Sequence, residues 1–422
     1  MKILENKNIL LAVTGSIAIY KSLELIRLYI KAGANVKVIL TNGAKKFINP
    51  ITFETISQNK IIDDLNEDWS CESFNNHIAL GKWADIFVIA PATANTINKL
   101  SNGIADNILL QTALAYPRIK LLVPAANTNM MSNPLTKASL KMLKLCNFKL
   151  VETQIKELAC KDIGDGAMAC VEDIFHKTAQ ELLKDDYWTD RKVVLNSGGT
   201  IEKIDDVRYL SNFSSGKMGA SMATALYYLG ADVCLVTSSD HKIANEIHTI
   251  KVQSASEMFS YVEDSIKVSL KGKMSSATLM DSSTMQLIQK KPYFFAISAV
   301  SDYTVKFPQN GKIKKVDIGD NWDLKLKKNI DILDSVNKEN IYTIGFKAEI
   351  DETSAKQNAQ NMLKNKNLDG VCLNIISDEN SFGSETNKIE YFDNNNSSFV
   401  KDGTKLEVSL ELLKYLKVQF EQ

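Results

Sequence analysis

The sequence predicts an α/β protein built from two doubly wound parallel sheets. Short, continuous apolar runs of strand length alternate with longer runs in which apolar residues recur at helical spacing. The alternation occurs twice, first from Ile9–Val13 onward and again from Lys192–Asn196 onward. Between the two series lies a polar, charged stretch at 184–190, which is typical of a domain boundary. The predicted domains are therefore residues 1–188 and 189–422.

Composition excludes several classes of protein. The 422 residues carry 50 basic and 50 acidic side chains, so no bulk field favours nucleic acid or an anionic membrane surface. The 6 cysteines form no CxxC pair or zinc spacing, so neither a disulfide framework nor a structural metal is implied. The apolar N-terminal run Ile9–Val13 is too short to span a bilayer. We expect a soluble cytoplasmic protein without nucleic-acid or membrane partners.

The first half of the sequence predicts a parallel sheet with ligand-binding loops at one edge. After its first strand we expect a helix with Ile19, Leu23, Ile26 and Ile30 on one face and Gly33 at its end. The later predicted strands of this half are Val36–Leu40, Asp85–Ala90, Lys120–Val123 and Lys149–Glu152. Because ligands of such sheets bind beyond the carboxyl ends of the strands, the expected ligand loops are Thr14–Ser16, Thr41–Asn42, Pro91–Asn95 and Pro124–Asn127.

The second half opens on a loop that is typical of phosphate binding. The run from Arg208 to Gly219 lies between a predicted strand and a predicted helix, where small residues present backbone N–H groups to an anion. Its spacing is not that of a Walker A loop, and an ordinary tight loop is the alternative. An Arg, an Asn, two Ser and a Lys crowd into it, which favours nucleotide binding. The residues expected at the nucleotide are Ser214, Ser215, Gly216, Lys217, Met218 and Gly219, and Arg208 could bind the substrate phosphate or carboxylate bidentately.

The rest of the second half continues the α/β pattern. Its predicted elements are strands Asp232–Thr237, Phe294–Ser298, Tyr342–Phe346 and Gly370–Leu373, helices at Ser354–Lys366 and Glu407–Phe420, and a hairpin at Ile389–Phe392 and Ser398–Val400. We interpret the Ser-, Met- and Lys-rich stretch 271–291 as a surface insertion. Asp302 follows a strand and is either a ligand of the nucleotide or its metal, or a simple turn residue. Phe346 is available to pack a base, and Asn374 to meet the base or ribose.

Three residues of the first half are candidates for acid–base chemistry or carboxylate binding. His77, at the entry to a strand, is either structural or a base that also orients a carboxylate. Asn127 places an amide at the rim of the sheet. Cys160 precedes Gly164 and Gly166, a pattern that predicts a mobile flap. Its thiol is either buried and inert or, as the flap context favours, reactive or proton-donating.

Thr93 and Asn95 carry polar groups to the start of a predicted helix. A hydroxyl and an amide there suit a phosphate or the edge of a flavin ring. The alternative for either residue is simple N-capping of the helix that follows.

Taken in order, these segments resemble a known family. The motifs that carry the resemblance in the first half are Thr14–Ala18, His77, Pro91–Thr96, Asn102–Asn107, Pro124–Asn127 and the Cys160 flap. They are similar to the flavin-dependent phosphopantothenoylcysteine decarboxylases. From Gly198-Gly199-Thr200 onward the chain resembles phosphopantothenate–cysteine ligase. Over nearly its whole length it is therefore similar to the bifunctional coenzyme A biosynthesis enzymes of bacteria.

For the first half, the resemblance implies FMN and a decarboxylase site. The residues that would hold FMN are Gly15, Ser16, Thr41, Pro91, Thr93 and Asn95. His77 would act as base or orient the substrate carboxylate, Asn127 would hold that carboxylate, and Cys160 would donate a proton. The sequence departs from the family at Ala126, where Met is usual, at Ala167, where Arg is usual, and at Lys161, where Gly is common.

For the second half, the resemblance implies CTP-dependent ligation of phosphopantothenate to L-cysteine with Mg²⁺. Asn212 would hold the acyl-nucleotide intermediate, and Lys312 would bind the triphosphate and stabilise the transition state. Asp302 is the candidate metal ligand. Lys364 and Lys366 resemble triphosphate-binding lysines, with Met362 where a second lysine can occur. The residues alone leave CTP and ATP open.

The resemblance also implies a homo-oligomer. Related decarboxylase halves form trimers that assemble further, with active sites between subunits, and related ligase halves form dimers.

Two other functions fit the sequence less well. A flavoprotein-fold binding or regulatory protein, with only the ligase half active, is disfavoured because His77, Asn127 and Cys160 are all present. A nicotinamide-dependent oxidoreductase needs a G-x-G-x-x-G fingerprint, and Thr14–Ile19 lacks its later glycines.

Overall fold

The chain folds into two compact units, described here from a computed structural model. One unit comprises residues 1–183 with 275–286, and the other residues 184–274 with 287–422. The predicted boundary after residue 188 falls inside the second unit, where Tyr187 and Trp188 are buried. No helix within the described part of the chain is long and apolar enough to cross a membrane. The structure describes residues 2–70, 75–157, 161, 163–275, 286–314, 321–376, 383–394 and 398–421.

The first unit is built on a five-stranded parallel sheet. Its strands are Asn8–Val13 (β1), Asn35–Leu40 (β2), Ile86–Ala92 (β3), Lys120–Pro124 (β4) and Phe148–Leu150 (β5). Their order is β2-β1-β3-β4-β5, and every pairing is parallel. This is the flavodoxin-like order of doubly wound sheets, so the predicted fold class is confirmed. The order reverses between β1 and β3, where such sheets bind their ligands.

Helices and one hairpin complete the first unit. The helices are Tyr20–Lys31 (α1), Asn42–Lys45 (α2), Pro50–Ser57 (α3), His77–Trp83 (α4), Ala94–Ser101 (α5), Ile108–Ala115 (α6), Thr128–Ser132 (α7), Pro134–Leu145 (α8) and Val171–Leu183 (α9). The antiparallel hairpin comprises Gln154–Glu157 (β6) and Ile163–Ala167 (β7).

The predicted apolar face of α1 was wrong in part. Ile26 is buried, but Leu23 and Ile30 are only half-buried, and Ser22 and Tyr29 lie in the interior instead. The Ser22 hydroxyl donates to the carbonyl of Ala90 at 2.8 Å, and the Tyr29 hydroxyl pairs with a threonine hydroxyl on α9 at 2.6 Å. Because these hydrogen bonds satisfy the polar groups, Ser22 and Tyr29 can occupy the buried face of the helix. A prediction from the spacing of apolar residues alone does not include them.

The second unit is built on an eight-stranded mixed sheet. Its strands are Lys192–Ser197 (β8), Asp232–Thr237 (β11), His248–Lys251 (β12), Tyr293–Ala296 (β15), Tyr342–Glu349 (β18), Gly370–Ile375 (β19), Thr386–Asp393 (β20) and Ser398–Thr404 (β21). The order is β12-β11-β8-β15-β18-β19-β20-β21. The first six strands are parallel, as predicted, and they follow the Rossmann order. The predicted hairpin, β20–β21, extends the sheet with antiparallel pairings.

Smaller elements surround this sheet. The short strands are Ile201–Lys203 (β9), Tyr209–Ser211 (β10), Lys273–Met274 (β13), Leu287–Ile288 (β14), Tyr303–Val305 (β16) and Leu326–Lys328 (β17). The helices are Lys217–Tyr228 (α10), Ala255–Ser269 (α11), Ile332–Ser335 (α12), Glu352–Asn365 (α13) and Lys405–Phe420 (α14). The predicted insertion at 271–291 supplies β13 and β14, and its residues 276–285 lie outside the described part of the chain.

Candidate active sites

A cleft of about 790 Å³ opens at the carboxyl ends of β1 to β4. Residues from the four loops predicted from the sequence line it, among them Gly15, Ser16, Thr41, Thr93 and Asn95. Parallel strands end at one edge of their sheet, so loops distant in sequence meet there. The cleft has the size of a small-molecule or cofactor site.

Hydroxyl groups tie the loops of this cleft together. The Thr14 hydroxyl donates to the carbonyl of Pro91 at 2.7 Å and accepts the N–H of Thr93 at 3.1 Å. Pro91 is buried and is not among the described residues that line the cleft, while Thr93 also caps α5 by accepting the N–H of Thr96 at 3.4 Å. Thr41 caps α2 in the same way. These threonines therefore shape the cleft as well as lining it.

Gly15 and Gly43 bring the loop after β1 close to the segment after β2. A β-carbon added at Gly15 would lie 2.8 Å from the carbonyl carbon of Gly43, which is too close for any side chain. Because Gly15 lacks a side chain, backbone approaches backbone here, as phosphate-binding loops require.

A second cleft, of about 540 Å³, shares Ser16 and Ala126 with the first. Asn127 lines it and also caps α7, because its side-chain oxygen accepts the N–H of Asn129 at 2.9 Å. Ala167, one of the departures from the family pattern, lies in its wall. The residues proposed from sequence for the substrate carboxylate and for the flap thus border one space, next to the larger cleft.

The β6–β7 hairpin packs against the Asn127 loop through its glycines. The N–H of Ala126 donates to the carbonyl of Gly166 at 3.1 Å. A β-carbon at Gly166, whose φ is +136°, would overlap the carbonyl oxygen of Ala126, and one at Gly164 would overlap the hydroxyl of Thr128. These glycines, from which the sequence predicts a mobile flap, permit close packing in the structure. Cys160 lies outside the described residues.

Lys161 occupies a backbone conformation that favours glycine. Its φ is +68°, in the left-handed region, where a side chain costs about 1 to 2 kcal/mol. This explains physically why glycine is common at this position in the family that the sequence resembles.

Sequence reasoning missed Lys21, which anchors the end of the hairpin. Its ammonium group donates to the carbonyls of Met168 at 2.7 Å and Ala169 at 3.1 Å, and the residue is only 9% exposed. Burial, reinforced by the charge of Lys156, lowers the pKa of Lys21 to about 8. Lys21 lines the second cleft together with Lys156. The available sequence signal was a lysine in the first turn of a helix, where its charge opposes the helix dipole.

His77 is paired with a carboxylate that the sequence did not reveal. Its Nδ1 lies 2.9 Å from Oε1 of Glu67, and its ring packs edge-on against Trp69 at 4.8 Å between centroids. A carboxylate on Nδ1 fixes the ring orientation and favours the proton on Nδ1, which leaves Nε2 as the basic nitrogen. His77 is not among the described residues that line the two clefts.

In the second unit, a narrower cleft of about 180 Å³ lies where the strand order reverses between β8 and β15. Of the predicted nucleotide residues, those that line it are Ser214, Ser215, Gly216, Met218, Gly219, Phe346 and Asn374. They come from the loop between β10 and α10, the start of α10, β18 and β19. The sheet therefore brings the phosphate-type loop and the aromatic ring into one space.

The loop before α10 is held by contacts with its neighbours. Gly216, at φ +72°, is the N-cap residue of α10, and the Ser197 hydroxyl donates to its carbonyl at 3.1 Å. A β-carbon at Gly219 would overlap the side chain of Ser197, so only glycine allows α10 to approach β8. The carbonyl of Ser215 lies 2.7 Å from Nε2 of His241. These contacts leave the start of α10 facing the cleft.

Arg208 points to a carboxylate of its own unit instead of the cleft. Its Nε donates to Asp205 at 3.0 Å, its Nη2 donates to the carbonyl of Ile313 at 3.1 Å, and the ring of Trp322 lies 4.5 Å away. The guanidinium and three backbone N–H groups hold the pKa of Asp205 well below its usual value. Arg208 thereby fixes the segment that carries Lys312, in place of the direct substrate contact suggested by the sequence.

The lysines that were predicted to bind the nucleotide either form ion pairs within their own unit or are exposed to solvent. Lys217 donates to the carbonyl of Gly383 at 2.7 Å and pairs with Glu385, and Lys366 pairs with Asp331 at 2.6 Å. The remaining predicted residues outside the cleft lining are Asn212, which donates to the carbonyl of Val300 at 3.0 Å, and the exposed Asp302, Lys312 and Lys364.

Two lysines among the described residues line this cleft: Lys347, which pairs with Glu349 at 3.2 Å, and Lys405, which was not predicted from the sequence. The ammonium group of Lys405 donates to the carbonyls of Ser384 at 2.5 Å and Thr386 at 2.7 Å, and burial lowers its pKa. Lys405 is the first residue of α14. Like Lys21, it puts a positive charge at a helix start, where the dipole disfavours it.

Two doubly wound domains, each with a cleft at its topological switch point, define a class of α/β enzymes that bind cofactors or nucleotides. Comparison with known proteins identifies the family. Residues 2–183 match the model of the Flavoprotein family, and residues 188–272 and 271–419 match that of the DNA/pantothenate metabolism flavoprotein C-terminal domain. The chain belongs to the family of bifunctional coenzyme A biosynthesis proteins, which combine a carboxy-lyase with an acid–amino-acid ligase.

Relatives match the chain over its length. The coenzyme A biosynthesis bifunctional protein CoaBC of Borreliella burgdorferi is 34% identical over 98% of this chain and 99% of its own. That of Bacillus subtilis is 34% identical over 99% of this chain and 96% of its own. Among solved structures, a mutant PPC decarboxylase complexed with pantothenoylaminoethenethiol matches with 32% identity and a TM-score of 0.38, covering 41% of this chain and 96% of that one.

Proposed function

We propose that the second unit ligates L-cysteine to 4'-phosphopantothenate with CTP, and that the first unit decarboxylates the product to 4'-phosphopantetheine with FMN. One observation carries the proposal: in each unit, loops selected from the sequence for their chemistry meet in one cleft at the switch point of the sheet. Family membership supports the same assignment of the two halves.

The cleft of the first unit suits FMN. Its volume of about 790 Å³ accommodates a cofactor of that size. The close approach of Gly15 to Gly43 exposes backbone for a phosphate, and the hydroxyls of Ser16, Thr41 and Thr93 supply polar contacts. When bound, the flavin would supply a reversible electron sink for the cysteinyl moiety.

In the decarboxylation, residues of the first unit would bind the substrate carboxylate and transfer protons. Asn127 holds the substrate carboxylate through its side-chain amide. Glu67 keeps Nδ1 of His77 engaged at 2.9 Å, so Nε2 acts as the base or orients the carboxylate. Cys160 donates the proton that completes the product. Lys21 keeps the end of the β6–β7 hairpin fixed beside this space.

The flavin assignment is tested by the absorbance spectrum of the purified protein. We expect a yellow protein that releases one FMN per chain on denaturation. A colourless protein that cannot be reconstituted with FMN contradicts the assignment.

In the second unit, the loop before α10 would bind the nucleotide phosphates through backbone N–H groups. Asn212 holds the acyl-nucleotide intermediate, and Lys312 and Lys405 supply positive charge for the developing oxyanions. The lysines Lys364 and Lys366 remain candidates for the triphosphate. We favour CTP over ATP on the strength of the family resemblance.

Removal of the metal is expected to separate the two activities. Within the described residues no cluster of three or more His, Cys, Asp or Glu side chains could hold a metal, so Mg²⁺ would enter with the nucleotide phosphates and one carboxylate, Asp302. EDTA should therefore abolish ligation and leave decarboxylation of added phosphopantothenoylcysteine intact. Ligation that persists in excess EDTA contradicts a metal-dependent ligase.

Replacing Lys405 with methionine is expected to weaken CTP binding. Hydrogen bonds to charged groups are worth about 1.5 to 3 kcal/mol, so the KM for CTP should rise on the order of tenfold to a hundredfold. The control is Lys414→Met, which removes an exposed lysine from the same helix. An unchanged KM in Lys405→Met, with normal thermal unfolding, shows that this ammonium does not serve the nucleotide.

We also propose a homo-oligomer with a trimer-based decarboxylase core and dimeric ligase domains. Trp69 packs on His77 yet is 65% exposed, and nearby in sequence Leu65 is 85% exposed. Apolar groups beside a candidate catalytic residue suit a site completed by a neighbouring subunit. Light scattering of the full chain tests this, and a monomer with full decarboxylase activity contradicts it.

A further inference from the structure

Two ammonium groups lie side by side at the second cleft of the first unit. Lys21 and Lys156 both line this cleft of about 540 Å³, which shares Ser16 and Ala126 with the cleft proposed for FMN. Burial is the main cause of the lowered pKa of Lys21, and the neighbouring ammonium of Lys156 is the next. Like charges that are this close repel each other, so the pair favours an anion.

Neither ammonium group is neutralised within the described part of the chain. Lys21 donates to two backbone carbonyls, which leaves one of its three N–H groups over. The charge of Glu24 also acts on Lys21, but more weakly than that of Lys156. No carboxylate among the described residues forms an ion pair with Lys156, which is exposed on β6, although Glu157 lines the same cleft. The cleft therefore offers positive charge to a ligand.

The decarboxylation substrate has an anionic group at each end. One is the cysteinyl carboxylate, which leaves as carbon dioxide, and the other is the phosphate, which carries a charge of about −1.5 to −2 at pH 7 and stays on the product. Two cations at the carboxylate would stabilise the reactant more than the transition state, in which the negative charge leaves that group, and so would slow the reaction. At the phosphate they do not slow it, because the phosphate charge is the same in both states. The neutral amide of Asn127 suits the carboxylate better.

We infer that Lys156, together with Lys21, binds the phosphate of 4'-phosphopantothenoylcysteine and makes the first unit selective for the phosphorylated substrate. This inference rests on the proposed function of the first unit as a decarboxylase. The substrate extends along the second cleft from its carboxylate at Asn127 to its phosphate at the two lysines, since all three residues line this space.

The test compares Lys156→Met with the wild type as FMN-loaded full-length chains. Carbon dioxide release is measured from 4'-phosphopantothenoylcysteine and from pantothenoylcysteine, which lacks the phosphate. For the phosphorylated substrate, KM should rise about tenfold, as expected for one hydrogen bond between charged groups. Its kcat should stay unchanged, because the lost contact is the same in the reactant and the transition state. The KM for pantothenoylcysteine should not change, and where its turnover is too slow to measure, its inhibition constant against the phosphorylated substrate gives the same comparison.

Two variants serve as controls. Lys156→Arg retains the charge and should keep the wild-type KM for both compounds. Lys141→Met removes an exposed lysine of α8 that is not among the described residues lining this cleft, and it should leave all constants unchanged. Lys21 is not replaced, because its ammonium group also anchors the end of the hairpin.

The results that overturn the inference are distinct. An unchanged KM for 4'-phosphopantothenoylcysteine in Lys156→Met, or an equal rise for the two compounds, shows that this ammonium group does not meet the phosphate. A fall in kcat with an unchanged KM assigns Lys156 to the carboxylate or to proton transfer instead. An FMN-loaded wild-type chain that decarboxylates neither compound overturns the proposed function itself along with the inference.

Discussion

Gly166→Ala is expected to reduce decarboxylation at least about a hundredfold and to leave ligation intact. The added β-carbon would overlap the carbonyl oxygen of Ala126, which is backbone and cannot rotate away, and Gly166 has a φ of +136°. The β6–β7 hairpin must then move off the Asn127 loop. Displacements of about 1 Å at a catalytic site cost about a hundredfold in rate.

The measurement is product formation from added phosphopantothenoylcysteine, beside ligase activity in the same preparation. Gly103→Ala is the matched control, because Gly103 also has a positive φ, +67°, but an added β-carbon meets nothing within 4 Å. That control should keep both activities. Full decarboxylation by Gly166→Ala would mean that hairpin packing is not needed for catalysis.

Gly219→Ala is expected to reduce ligation by a similar factor and to spare decarboxylation. Its β-carbon would overlap the Ser197 side chain and push the start of α10 away from β8, which displaces the proposed phosphate-binding loop. The second-site change Ser197→Gly removes the overlapping atoms, and the nearest remaining Ser197 atom, the Cα, lies at 3.4 Å.

The double variant Gly219→Ala/Ser197→Gly should therefore recover much of the ligase activity that Gly219→Ala loses. Pyrophosphate release from CTP with phosphopantothenate provides the assay. If the double variant is no better than the single one, the defect does not come from this overlap.

The sequence predicted the strands and ligand loops well because both depend on local pattern. Continuous apolar runs identified the central strands, such as β11 at Asp232–Thr237, and parallel topology then requires their carboxyl-end loops to meet. For this reason Gly15, Thr41 and Thr93, far apart in sequence, were assigned to one cleft from the pattern alone.

The partners of charged side chains were harder to predict from the sequence, because they depend on tertiary contacts. Arg208, Lys217 and Lys366 all looked like phosphate ligands, yet each pairs with a carboxylate of its own unit. Conversely, Lys21 and Lys405 were overlooked although both line clefts. Each lies in the first turn of a helix against the dipole, and such a local conflict is typical of functional positions.

The glycines of the flap show a second limit of prediction from sequence, because one residue type can serve two structural purposes. Gly164 and Gly166 predicted mobility because glycine permits it. The same residue type also permits close packing, and the sequence alone does not show which use applies. In the structure, Gly164 packs against Thr128 and Gly166 packs against Ala126.

The most direct test of the account supplies the full chain with 4'-phosphopantothenate, L-cysteine, CTP, Mg²⁺ and FMN, and follows the products by mass spectrometry. The account predicts that phosphopantothenoylcysteine appears first with release of CMP and pyrophosphate, and is then converted to 4'-phosphopantetheine with loss of carbon dioxide. Failure to form 4'-phosphopantetheine, while added phosphopantothenoylcysteine also remains unconsumed, would contradict it.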